Sequence, residues 1–69
     1  MIAVVPSGSR LDLFSRDYEG APVRHPAYAV ETLYGWAVLR MEGRHVRYQQ
    51  RVADRSAAAL RLSQIGRGL

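Results

Sequence analysis

With 69 residues, 48% hydrophobic and 23% charged, the chain has the make-up of one small folded domain spanning residues 1–69, not of a disordered segment. The absence of Cys excludes disulfide scaffolds, thiolate metal sites and Cys nucleophiles together, and no apolar run approaches the ~20 residues that a membrane-spanning helix needs. All ten cations are Arg, against six carboxylates, and the resulting net charge of +4 favours an anionic partner.

The first apolar run, residues 2–5, is β-branched but is broken at once by Pro6 and Ser7, with no basic segment ahead of it. It is too short for a secretion signal, so a cytoplasmic protein without a membrane segment is expected. After the turn cluster Pro6-Ser7-Gly8-Ser9, Leu11 and Leu13 alternate with Arg10 and Asp12 before Phe14, which reads as a β-hairpin. Residues 15–25 are polar, are broken by Gly20 and Pro22, and read as a surface loop in which Tyr18 stands between Asp17 and Glu19. Pro26 holds His25 away from helical geometry but suits a first helical turn. Ala27, Val30, Leu33 and Tyr34 then recur at helical spacing, so a helix is expected up to a stop at Gly35.

Residues 36–52 satisfy two periods at once. As strands, residues 36–41 lead through Glu42-Gly43 into Val46, Tyr48 and Val52, which alternate with His45, Arg47, Gln49 and Arg51. As a helix, Arg40, Arg44, Arg47, Arg51 and Arg55 fall in one narrow stripe, and a long helix over 44–65 makes the protein mostly α. The hairpin is favoured, because Gly43 interrupts a long helix and Trp, Val and Tyr are strand formers. It places Val46, Tyr48 and Val52 inward and Arg47 and Arg51 outward. Asp54 then caps a helix over 55–65 that Gly66 ends. The expected fold is α+β: two hairpins in one antiparallel sheet packed by two helices, in the order ββαββα. A faint echo at an offset of 34, Ala3-Val4-Val5 then Arg10 against Ala37-Val38-Leu39 then Arg44, fits that order but is less than a repeat architecture requires.

Charge divides the chain. Residues 1–35 hold three Arg against Asp12, Asp17, Glu19 and Glu31, net −1, while residues 36–69 hold seven against Glu42 and Asp54, net +5. The lack of Lys and Asn and the wealth of Ala, Arg and Gly suit a GC-rich genome, which explains why the cations are Arg but not why they cluster. Arg40, Arg44, Arg47, Arg51 and Arg55, with Tyr48 among them, are the candidate interface. Guanidinium groups grip phosphate or carboxylate with paired hydrogen bonds, and a base can stack on a Tyr ring. On the strand reading, however, Tyr48 shares a face with Val46 and Val52 and belongs to the core, as does Trp36.

Catalysis has little to work with, since His25 and His45 are the only candidate bases and no Ser carries a nucleophile's local pattern. No His or carboxylate spacing suggests a metal, and Ser7-Gly8-Ser9 reads as a hairpin turn, not a phosphate loop. No catalytic residue, cofactor or metal is therefore expected. The expected function is a small non-enzymatic regulatory protein that binds nucleic acid through its arginine-rich C-terminal hairpin and helix. The alternative is an inhibitor or adaptor of the kind carried by phages and plasmids that binds a protein or a protein–nucleic acid complex, its arginines meeting an acidic protein surface. A homodimer, or a partner bound through an edge strand or a helix face, is also expected, because so small a core gains from further burial and two hairpins leave open strand edges.

Overall fold

The computed structural model describes residues 2–68 and overturns the expected order of elements. Five strands precede a single helix: β1 (Ala3–Ser7), β2 (Arg10–Arg16), β3 (Pro22–Thr32), β4 (Gly35–Glu42) and β5 (His45–Val52), then α1 (Arg55–Arg67). Neighbours pair antiparallel and spatial order follows chain order, so the sheet is a meander. The α+β arrangement ββαββα is thus replaced by a mostly β fold with one C-terminal helix. The long helix over 44–65 is not formed either, since residue 44 lies in a turn and residues 45–52 in a strand.

The difference lies in β3, where a helix was expected from Pro26 and a loop before it. The chain uses period two there: Ala27 and Ala29 are buried on one side, while Tyr28 and Val30 pair with Leu39 and Ala37 on the other. Alanine is a good helix former, but tertiary context decides here, because two small side chains on the central strand let α1 lie close above it. Pro26 is tolerated because it falls outside both ladders. Across a bulge the β2–β3 pairing shifts from Asp12↔Tyr28 to Phe14↔Arg24, and the β3–β4 ladder reaches only to Ala27↔Arg40. Leu33 and Tyr34 form the β3–β4 turn and are 94% and 82% exposed. Gly35 follows with φ of 123°, and a Cβ there would stand 2.6 Å from the Val52 carbonyl oxygen.

The core lies between the sheet and α1. Leu11, Leu13, Ala27, Ala29, Trp36 and Val38 meet Ala58, Leu62 and Ile65. Fully burying a Leu contributes about 1.5–3 kcal/mol relative to leaving it exposed, so Leu13 and Leu62 are principal stabilisers. The Asp54 carboxylate caps α1 by accepting from the Ala57 N–H at 2.8 Å. The helix does not stop at Gly66. That residue is buried and closely packed: a Cβ would stand 3.0 Å from Ile2 Cγ2 and 3.3 Å from Leu13 Cδ2, so those side chains would have to give way for it. Gly68 ends the helix instead, its N–H donating to the Ile65 carbonyl at 3.1 Å.

On β5 the inward trio expected from alternation is split. Arg40 pairs with Tyr48 but Met41 with Val46, which leaves Arg47 as the extra residue of a bulge. Val46 consequently falls on the side away from α1 and is 51% exposed, while Tyr48 and Val52 pack against the core. Strands β1 and β5 are the sheet's edges. Pro6 on the first and Arg47 and Arg51 on the second are features that discourage edge pairing with another chain. Because α1 covers one face only, the other face of the sheet is open.

Candidate nucleic-acid interface

The five arginines of the C-terminal series do not share a face. Arg40 stands on the α1 side, opposite Tyr48, and is exposed. Arg44 occupies the β4–β5 turn beside Gly43, whose φ is 60°. Arg47 pairs with Glu42 at 2.7 Å on the surface. Arg51 lies opposite Ala37 on the open face, and Arg55 opens α1 with its guanidinium carbon 5.9 Å from the Trp36 ring centroid. Spacings of three and four gather on a helix, but on strands and turns they scatter.

Tyr48 is held on the helix side. Its hydroxyl donates to Gln50 Oε1 at 2.5 Å and accepts from Arg61 Nε at 3.1 Å, and the Arg61 guanidinium lies 5.1 Å from its ring centroid. The ring is half-buried and already covered by a cation, so stacking on a base would require Arg61 to move. Its role is to extend the core toward the edge strand.

A second cluster, which sequence reasoning missed, stands on the open face. Asp12 is buried to 3% exposure and accepts from Arg10 Nε at 3.0 and 3.1 Å, while Arg24 Nε lies 4.0 Å away. The Arg10 guanidinium sits 4.1 Å from the Tyr28 ring centroid, and that of Arg24 5.5 Å from Phe14. Such cation–π contacts are worth about 0.5–1 kcal/mol at exposed sites and also fix the plane of each guanidinium. One carboxylate thus organises two arginines over two aromatic rings. The alternation of Arg10, Asp12 and Phe14 was visible in the sequence. Their neighbours Arg24 and Tyr28 could be placed beside them only once residues 22–32 were known to be a strand.

The remaining candidates are quieter. His25 Nε2 and Ser15 Oγ are 2.8 Å apart, a nucleophile type beside a base type, yet among the described residues no carboxylate orients the ring as a catalytic triad would require. No group of three His, Cys, Asp or Glu able to hold a metal occurs among the described residues. Gly8 turns the first hairpin with φ of 60°. Asp17 closes the β2–β3 loop on itself by accepting from the Glu19 and Ala21 N–H groups, each at 2.9 Å, which leaves Tyr18 96% exposed at the tip. Among the described residues no helix is long and apolar enough to cross a membrane. In comparisons with known proteins, no family model, curated protein or solved structure matches this chain.

Proposed function

We propose that this protein is a small non-enzymatic binder of single-stranded nucleic acid, and that the strand crosses the open face of the sheet. The observation that carries this reading is the make-up of that face. Arg10, Arg24 and Arg51 stand there with Phe14 and Tyr28, and the one carboxylate among its described strand residues, Asp12, is already paired. Cations that track a phosphate backbone, interleaved with rings on which bases stack, are the combination that sequence-tolerant single-strand binding uses. A broad sheet face suits a splayed strand better than the groove of a duplex, which admits a helix or a two-stranded ribbon. Arg44 and Arg40 lie off this face and would add long-range attraction.

Titration of a fluorescent oligonucleotide against salt tests the proposal. Three phosphate contacts give a log–log slope of about −2, at roughly −0.7 per contact on a single strand. Replacing Arg24 and Arg51 together by Gln should abolish binding while circular dichroism stays unchanged and the thermal midpoint falls only slightly, since both side chains are exposed and Arg24 approaches Asp12 only at 4.0 Å. Absence of binding at low salt would sink the reading.

One observation favours a second reading, an inhibitor or adaptor that docks on a protein. Leu33 and Tyr34 project from the β3–β4 turn, which Thr32 stiffens by donating to the Gly35 carbonyl at 3.1 Å and accepting from the Tyr34 N–H at 3.3 Å. A rigid apolar and aromatic tip is the form that interface anchors take. Changing both residues to Ser separates the two readings, because it removes a protein contact and leaves oligonucleotide binding intact.

A further inference from the structure

We infer that the cleft at the β1 edge of the open face takes a single unstacked nucleobase, with its phosphate held by Arg16 and Arg24. This inference rests on the strand-binding reading above and assigns one of its contacts. The cleft, about 460 Å³, is lined by Ala3, Val5, Phe14, Ser15, Arg16 and Pro22, and falls within the ~300–1,000 Å³ range of small-ligand sites.

It lies where the described β1–β2 pairing gives way to β2–β3 pairing. β1 pairs with β2 only from Ala3↔Phe14 to Ser7↔Arg10, whereas β2 continues to Ser15 and Arg16, which pair with Val23 and Pro22 of β3 alone. The residue opposite Phe14 is Ala3, whose side chain is too small to fill the space beside that ring. The floor is therefore apolar, with Val5 41% exposed beside it.

The two aromatic rings of the open face differ in availability. Tyr28 is covered at 4.1 Å by Arg10, which Asp12 clamps in place with two hydrogen bonds. Phe14 has only the more distant Arg24, at 5.5 Å, whose hold on Asp12 is a single 4.0 Å approach. Phe14 is thus the ring that can accept a base, and Arg24 the cation that can turn from it to a phosphate. Among the described residues, Arg16 makes one side-chain hydrogen bond, from Nη1 to the Gly20 carbonyl at 2.7 Å, which leaves its other N–H groups to offer. Asp17, next to Arg16 in the chain, accepts from the Glu19 and Ala21 N–H groups of its own loop through Oδ1. An apolar slot with a stacking ring and a cationic rim is complementary to a nucleotide of an unpaired strand.

The test compares an eight-residue oligothymidylate with a strand of the same length and charge made of abasic units, on the wild-type protein and on Ala3→Leu. Ala3 is exposed, so Leu fills the slot at no cost in charge or core. The wild type should bind the thymidylate strand about tenfold more tightly than the abasic strand, the worth of one good stack, and Ala3→Leu should erase that preference while leaving abasic binding unchanged. Equal binding of both strands by the wild type overturns the base slot but leaves the phosphate-binding face standing. A preference that survives in Ala3→Leu places the base elsewhere and also overturns it. If neither strand binds, both the slot and the strand-binding reading fall.

Discussion

The two faces of the sheet are made of alternate residues of the same five strands, yet they are built on opposite plans. The covered face has an apolar core of Leu11, Leu13, Ala27, Ala29 and Val38 under Leu62 and Ile65 of α1. The open face reaches comparable burial at two points, Asp12 and Ala37, with no helix above it. There the cover consists of side chains of the sheet itself, Arg10 over Tyr28 and Arg24 over Phe14, which bury their stems and keep their charge at the surface. A helix lid is permanent, whereas an arginine lid can exchange partners. Stability should therefore reside on one face and binding on the other.

Three substitutions test this division, from the largest effect down. Leu62→Ala removes the largest fully buried side chain of α1 and should destabilise by about 2–5 kcal/mol, read from the urea midpoint, while the fraction still folded binds oligonucleotide with unaltered affinity. Coupled loss of stability and affinity would show that the faces are not independent. Asp12→Ala comes next, at about 1–3 kcal/mol, because it leaves Arg10 and Arg24 without their shared acceptor; the figure is moderated by the 40% exposure of the Arg10 side chain. The same change removes the only acid among the described strand residues of the open face and should tighten oligonucleotide binding, an outcome unlike that of an ordinary structural lesion. Arg47→Ala is the smallest, within about 0.5 kcal/mol by thermal melting, since its ion pair with Glu42 is exposed on both sides.

Which elements could be read from the sequence depended on whether composition and period agreed. Residues 36–52 offered two periods, but Trp36, Val38, Tyr48 and Val52 are strand formers and Gly43 marks the turn, so propensity pointed the same way as the strand pattern. The first hairpin and the Asp54 cap were legible for the same reason. β3 was not: its buried positions are both Ala, Pro26 stands near its middle, and Val30, Leu33 and Tyr34 complete a helical stripe by coincidence. Nothing local reveals that two alanines form the seat of a helix thirty residues on; pairing with β2 and β4 on both sides, together with packing against α1, makes the strand the better choice. The misreading of β3 also hid the open-face cluster, whose Arg24 and Tyr28 belong to it. The bulge at Arg47 was equally silent and moved Val46 from the expected core to the surface.

The meander has a consequence for the order of folding. Each register is set by its own short connection, the turns after Ser7, Thr32 and Glu42 and the loop after Arg16, so the hairpins can zip independently on the microsecond scale. Only α1 reaches back across the chain, from Leu62 and Ile65 to Leu11 and Leu13, and it is the last of the six elements to leave the ribosome. Until it docks, the sheet exposes its apolar face as well as its cationic one. The helix is therefore a latch that closes after assembly, and the interval before closure is when the nascent chain is most open to aggregation or to capture by a chaperone.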